Sequence, residues 1–130
     1  MSMKIEIEDD EGLLRVVASG GFSMASALSK FLEILDAVER TGARKILVDG
    51  RTVIGKPEVI ERFIYGEFAA KAVARYMMGG AARRTPQFAY VLHIPMRDPH
   101  RFGETVAVNR GVWIKVFGSV DEALEWLASP

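Results

Sequence analysis

The sequence predicts an α/β fold with a mostly parallel five-stranded sheet that starts with an N-terminal hairpin. Near the start of the chain, two short segments with the residue pattern of β-strands follow each other, separated by the turn residues Asp9-Asp10-Glu11-Gly12. After them, apolar runs of strand length alternate with longer segments of helical spacing. Strict alternation is typical of parallel sheets with right-handed crossovers, so the predicted order is β-β-α-β-α-β-α-β-α.

Length and composition indicate one globular domain that spans residues 1–130. The chain has 130 residues, of which 49% are hydrophobic, and this excludes a disordered chain. It has no cysteine, which excludes disulfides and a cysteine nucleophile. No apolar run approaches the roughly 20 residues of a membrane span, and the first residues lack the pattern of a signal peptide. We therefore expect a cytoplasmic protein without a transmembrane segment.

Charge is balanced over the whole chain but not along it. There are 17 basic and 17 acidic residues in all, whereas residues 71–110 hold 7 basic and 2 acidic residues, a local balance of +5. A basic stretch of this kind can meet an anionic ligand or an acidic protein surface. Nucleic-acid binding calls for a larger basic excess and a known module, so we expect no nucleic-acid partner.

The first half of the predicted fold is a hairpin followed by a helix. Apolar and charged residues alternate over residues 4–8, and residues 13–18 form the second strand. Gly20-Gly21 is predicted to end the hairpin. Ser23 can cap the helix that follows, and Gly42 can end it in the left-handed conformation.

The middle of the chain is predicted as strand, loop, long helix and strand. Residues 45–49 are an apolar run typical of a buried parallel strand, and residues 50–55 are predicted as a loop. Pro57 suits the first turn of a helix that runs to about Met78. The fourth strand is predicted over residues 88–94.

The last part of the chain is predicted as helix, strand and helix. A short helix should cover residues 101–109, and the fifth strand residues 112–117. Ser119 and Glu122 have the spacing of a capping box, which marks the start of the last helix.

The long helix is unusual because its apolar residues are not confined to one stripe. At about 100° per residue, one arc is predicted to face the core. That arc consists of Val59, Phe63, Gly66, Ala70, Val73 and Met77. The charges are divided as well: one group lies on one side early in the helix and the other group on another side later. The early group is Glu58, Glu61 and Arg62, and the later group is Glu67, Lys71 and Arg75.

Outside that arc, three apolar residues form a ridge on the long helix. Ile60, Ile64 and Phe68 follow each other at four-residue spacing, and Tyr65 and Tyr76 flank them. Leaving this ridge in water would forgo stabilisation, so we expect the helix to contribute to the interface of a symmetric homodimer. A loop or the short third helix covering the ridge within one subunit is the alternative, and an apolar ligand or a membrane surface could also cover it.

Three motifs give the chain a resemblance to a known family. They are Lys45-Ile-Leu-Val-Asp-Gly-Arg51, Glu104-Thr-Val-Ala-Val-Asn-Arg-Gly111 and Val116-Phe-Gly-Ser-Val-Asp-Glu-Ala-Leu-Glu-Trp-Leu127. With the order of elements, they resemble the STAS domain and its SpoIIAA-like relatives, especially the small bacterial SpoIIAA-like family of unassigned role. The resemblance implies a non-enzymatic domain for protein contact or small-ligand binding.

The resemblance also raises the question of a phosphorylation switch. Phosphorylated anti-sigma antagonists of the wider fold carry a serine beside the start of the second core helix. The matching stretch here is residues 49–55, where Thr52 is the only hydroxyl residue and the Asp-Ser-Ser pattern is absent. Whether Thr52 is phosphorylated stays open.

A candidate ligand site follows from the predicted sheet. In open parallel sheets, ligands gather beyond the carboxyl ends of the strands. The polar residues predicted there are Asp49, Arg51, Thr52, His93, Arg97 and Asp98. Arg51 and Arg97 can act as clamps for an anion. No metal motif is matched, so we expect neither a metal nor a cofactor.

Three functions remain open on the sequence alone. The first is a non-catalytic binding or regulatory module that acts through protein–protein contact as a homodimer. The second is a carrier of a small apolar or amphipathic ligand, with its pocket under the long helix. The third is an enzyme that uses the region of His93, Asp98 and His100, although no catalytic signature accompanies these residues.

Overall fold

Five strands form one sheet in which the spatial order of the strands follows the chain. The computed structural model of the protein describes residues 3–80, 83–93 and 111–129. The strands are β1 (Lys4–Asp10), β2 (Leu13–Gly21), β3 (Lys45–Ile54), β4 (Gln87–Val91) and β5 (Trp113–Phe117). β1 pairs with β2 antiparallel, and the later neighbours all pair parallel. The predicted five-stranded sheet with an N-terminal hairpin is confirmed.

Three helices are described, and the hydrophobic core lies in two layers, one on each side of the sheet. They are α1 (Met24–Thr41), α2 (Val59–Met77) and α3 (Val120–Ala128). Phe31 of α1 and Val73 of α2 pack with Phe88 of β4 in the larger layer. On the other side of the sheet, Leu47 of β3 packs with Leu127 of α3. The helix predicted over residues 101–109 lies outside the described residues.

Local capping signals place the helix ends where the sequence predicts them. The Ser23 hydroxyl accepts a hydrogen bond from the backbone N–H of Ser26, at 3.2 Å. Gly42 ends α1 at a φ of 72°, and its N–H donates to the carbonyl of Val38 at 2.8 Å. The Ser119 hydroxyl accepts from the N–H of Glu122 at 3.2 Å, which caps α3. Each cap satisfies a backbone group that the helix itself leaves unpaired.

The predicted loop over residues 50–55 is wrong, and β2 extends past its predicted end at residue 18, although its hairpin pairing with β1 stops at Ser19, just before Gly20-Gly21 as predicted. β2 continues through Gly21 and β3 continues to Ile54, because these two segments pair with each other. The register places Gly20 opposite Val53 and Gly21 opposite Ile54. Glycine is disfavoured in strands when its conformation is considered alone, but in this sheet the pairing between β2 and β3 supplies the missing stabilisation.

The start of the long helix and the end of the fourth strand also differ from the prediction. Pro57 lies before the helix rather than in its first turn, because Glu58 is the N-cap residue. Val59, predicted to face the core, is exposed as a result of its place at the start of α2. β4 ends at Val91, and residue 94, where the prediction ended, lies outside the described residues.

Candidate functional site

A β-bulge in β3 lies at the centre of the candidate ligand site. Val17 of β2 is opposite Asp49, whereas Ser19 is opposite Thr52, so β3 holds one more residue than β2 between these pairs. A bulge bends a strand and re-aims the side chains that follow it. It turns Val53 into the core, where it packs with Ala18. The polar residues predicted to follow the strand therefore lie within it.

Asp49 and Arg51 form an ion pair across the bulge. The guanidinium donates twice to the carboxylate, from Nε to Oδ1 at 2.9 Å and from Nη2 to Oδ2 at 2.8 Å, and the Arg51 backbone N–H donates to Oδ1 at 3.2 Å. These hydrogen bonds hold the pKa of Asp49 below its usual value, and partial burial opposes them. An anion that binds Arg51 must therefore compete with Asp49 for the guanidinium.

Thr52 and Gly50 serve the local packing of the bulge. The Thr52 hydroxyl donates to the carbonyl of Ala18 at 3.0 Å, which pairs a backbone acceptor in the irregular part of the ladder. Gly50 is buried against Leu92, and a Cβ at position 50 would lie 2.8 Å from a terminal methyl carbon of that side chain. The structure thus gives both residues a role in shaping β3.

His93 is the one other residue of the predicted ligand site that the structure describes. It follows β4 by two residues and is partly buried. Its Nδ1 is buried and has no hydrogen-bond partner in the part of the chain that is described. Arg97 and Asp98, and His100 of the enzyme alternative, lie outside the described residues. Within residues 3–80, 83–93 and 111–129, no group of three or more His, Asp or Glu residues is placed to hold a metal ion.

The outer face of α2 is a second candidate site, and it is apolar at its N-terminal end. Ile60 and Ile64 expose 58% and 42% of their surface. Val59, in the same turn as Ile60, and Ile54, at the end of β3, are exposed as well. Phe68 is partly buried and packs against the core. Periodicity identified Ile60 and Ile64, whereas Ile54 was missed because its strand was predicted as a loop.

Tyr65 lies at the inner side of α2 rather than beside the exposed residues. Its hydroxyl and that of Tyr90 are 2.5 Å apart, so one donates to the other, and its ring meets Phe31 edge to face. Burial raises the pKa of Tyr65 to about 12, and the hydrogen bond to Tyr90 opposes this in part. Burial, with the nearby Tyr65, raises the pKa of Tyr90 well above its usual value. The pair fastens α2 to strand β4.

Tyr76 belongs to a separate contact that holds the C-terminal end of α2. The guanidinium of Arg83 stacks on its ring, 4.6 Å from the centroid, and donates to its carbonyl at 2.7 Å. The same guanidinium donates to the Glu39 carboxylate of α1 at 2.8 Å. Together with the tyrosine pair, this contact fixes the rotation of α2 about its own axis. The residues predicted to form one interface are thus divided, with Ile60 and Ile64 outside and Tyr65 inside.

Comparison with known proteins supports the fold. The structure of an anti-sigma factor antagonist from Mycobacterium paratuberculosis matches with a TM-score of 0.59 and 19% sequence identity, over 98% of this chain and 96% of that one. An uncharacterised protein with a SpoIIAA-like fold from Shewanella loihica matches with a TM-score of 0.48 and 16% identity, over 97% and 94% of the two chains. No protein-family model matches the sequence, and no curated protein is significantly similar to it.

The chain therefore has a SpoIIAA-like, or STAS-like, fold, as its motifs predict. Among the described helices, none combines the length and the apolar character that crossing a membrane requires.

Proposed function

We propose that this protein is a non-catalytic binding module that acts through protein–protein contact as a homodimer. The observation that carries the proposal is the exposed apolar surface of Val59, Ile60 and Ile64 on α2. Scattered exposed apolar residues are ordinary, but here Ile60 and Ile64 lie on successive turns of one helix and Val59 adjoins Ile60, so the exposed apolar residues are neighbours. A second copy of the chain offers the same surface and can cover it.

The size of the gain supports association. Full burial of a large aliphatic side chain is worth about 1.5–3 kcal/mol relative to leaving it exposed. Ile60 and Ile64 are each about half exposed, so each stands to gain about 1 kcal/mol in each subunit on burial. Because Tyr65 and Arg83 hold α2 in place, the surface is already formed before association, which lowers the entropy cost of binding.

The comparison of folds is consistent with this proposal. The mycobacterial protein is named an antagonist of an anti-sigma factor, which is an activity directed at another protein. Its likeness to this chain is a likeness of fold, so it supports the class of function and no particular partner. A second protein partner would be expected to bind on a surface that the homodimer leaves open.

The observations favour the two alternatives less. The carrier needs a pocket under α2, yet the rings of Phe31, Tyr65 and Tyr90 pack there edge to face. The enzyme needs available polar groups at the carboxyl ends of the strands, yet Asp49 and Arg51 are bound to each other. No described residue therefore gives either alternative the support that the α2 surface gives to association.

Sedimentation equilibrium tests the proposal with Ile64→Lys. Wild type should be a dimer at about 10–50 µM, the range of a weak specific pair, and the variant should be a folded monomer. Val17→Lys is the matched control, because Val17 is 45% exposed but lies on β2 away from α2. It should leave the dimer intact. Wild type that stays monomeric at about 50 µM, where even a weak specific pair should associate, would refute the homodimer.

A further inference from the structure

The helix α2 has charges of opposite sign at its two ends. Glu58 and Glu61 lie at the N-terminal end, and Lys71 and Arg75 lie near the C-terminal end. Both basic residues are exposed, and neither takes part in an ion pair among the residues that the structure describes. Glu61 accepts a hydrogen bond from the backbone N–H of Glu58 at 2.9 Å, which holds it at the start of the helix.

The basic residues share a stripe with the exposed apolar residues. At about 100° per residue, Ile64, Lys71 and Arg75 lie within roughly 60° of Ile60 around the helix axis. Arg62 and Glu67, the other charged residues in this part of α2, are both partly buried and have partners within the chain. By the same measure Glu61 lies about 100° from Ile60, at the edge of this stripe, whereas Glu58 lies about 160° from Ile60 and outside it. The face available to a partner is therefore apolar toward the N-terminal end, with Glu61 beside it, and basic toward the C-terminal end.

We propose that the outer faces of two copies of α2 pack antiparallel, about a two-fold axis at the level of Gly66 along the helix. The inference rests on the proposed homodimer and adds its geometry. Gly66 is midway between Glu61 and Lys71, so an axis at that level places the carboxylate of each copy opposite the ammonium group of the other.

The apolar residues fit the same axis. Gly66 is also midway between Ile64 and Phe68, so Ile64 of each copy meets Phe68 of the other. One axis thus joins acid to base at the ends and apolar to apolar in the middle. Opposite potentials that face each other set the register and exclude other arrangements of the same surfaces.

A parallel arrangement of the two helices is unfavourable on the same grounds. It would place Glu61 against Glu61 and Lys71 against Lys71, and like charges directly opposite each other cost free energy. It would also align the two helix dipoles, whereas an antiparallel pair brings each positive end near a negative end. The charge pattern therefore selects the antiparallel pair.

Engineered disulfides test the geometry directly, because the chain has no cysteine of its own. Ile60→Cys and Lys71→Cys are made separately, and each is oxidised alone and as an equal mixture. In the antiparallel pair, position 60 of one copy lies close to position 71 of the other. Like positions are then separated along the axis by about 18 Å for residue 60 and about 15 Å for residue 71, at about 1.5 Å per residue. A disulfide needs Cα atoms within about 7 Å of each other.

The expected result is a disulfide-linked dimer in the mixture and almost none in either variant alone. Efficient linkage of Lys71→Cys to itself would indicate a parallel pair and overturn the inference. A wild-type dimer in which no combination is linked would also overturn it, because the dimer would then use another surface. Either result leaves the homodimer standing, whereas wild type that is monomeric refutes the homodimer itself.

Charge exchange is an independent test that needs no oxidation. Lys71→Glu/Arg75→Glu makes the face acidic at both ends, and Glu58→Lys/Glu61→Lys makes it basic at both ends. Each variant should dimerise at least about tenfold more weakly than wild type, while their mixture should form a heterodimer in which every pair is opposite. Because Glu61 also caps α2, circular dichroism must show the helix intact in the second variant. A mixture that associates no better than the separate variants contradicts the proposed register.

Discussion

The hydrogen bond between the hydroxyls of Tyr65 and Tyr90 makes a specific prediction about stability. Tyr65 and Tyr90 are changed to phenylalanine separately and together, which removes hydroxyl groups and keeps both rings. The two oxygens are 2.5 Å apart, and Tyr90 is only 8% exposed. The edge-to-face contact of the two rings, with centroids 6.2 Å apart, should survive each change.

The expected magnitudes follow from what each change leaves behind. Tyr65→Phe or Tyr90→Phe removes one partner and leaves the other hydroxyl buried without a hydrogen bond, which costs about 1–3 kcal/mol. The double change removes both hydroxyls, and an apolar pair of the same shape is close to neutral. The free energies of the two single changes should therefore not add, and the interaction energy should be close in magnitude to the sum of the two single costs.

Urea denaturation of the four proteins measures this interaction energy, from midpoints compared at a constant slope. Single changes that leave the midpoint unchanged would refute the reasoning, since they would mean that water reaches the remaining hydroxyl. Single changes that are large but add up in the double variant would also refute it, because the hydroxyls would then stabilise the fold independently of each other.

The pH dependence of stability provides a second measurement on the same pair. An unperturbed tyrosine has a pKa of 10.0, and burial raises the pKa of Tyr65 to about 12. Above pH 10 the unfolded chain releases protons that the folded chain keeps, so unfolding becomes more favourable as pH rises. The full stability is present below pH 10 and is lost between pH 10 and 12. The double phenylalanine variant should lose less stability over this range, and an equal loss would contradict the assignment.

Three further sets of substitutions test the core, the bulge and the contact at the end of α2. Leu47→Ala should cost about 2–5 kcal/mol by urea denaturation, because Leu47 is 3% exposed under α3, and an unchanged midpoint would show that it is not core. Gly50→Ala should cost about 1 kcal/mol through its clash with Leu92, and Leu92→Ala should relieve part of that cost. A double variant that is less stable than the sum of the two single effects predicts would contradict that clash. Arg83→Gln should cost about 1 kcal/mol of stability. Glu39→Gln should cost less, because Arg83 then keeps its hydrogen bond to the carbonyl of Tyr76. A larger cost for Glu39→Gln than for Arg83→Gln would refute this.

The elements that were predicted correctly are those set by local chemistry. Ser23 and Gly42 bound α1 because a hydroxyl and a left-handed glycine satisfy backbone groups only a few residues away. Ser119 bounds α3 for the same reason. The apolar runs of β3 and β4 were recognisable because both faces of these strands are buried. From these signals the order of elements, and with it the fold class, could be inferred.

The candidate sites were predicted only in part, because their geometry depends on residues far apart in the chain. Asp49 and Arg51 could be named from the sequence, but their ion pair requires that the strand continue past Asp49. That continuation depends on pairing with Gly20 and Gly21, which no local propensity indicates.

The rotation of α2 about its own axis depends on packing and could not be inferred from the pattern of residues. Periodicity placed both Ile60 and Tyr65 outside the arc predicted to face the core. In the fold, Gly66, Ala69 and Ala70 are buried, and Tyr65 reaches Tyr90. The order of residues was enough to show that α2 has more apolar surface than one stripe can bury. Which part stays exposed was settled by packing, because small residues allow close approach and a buried hydroxyl must find a partner.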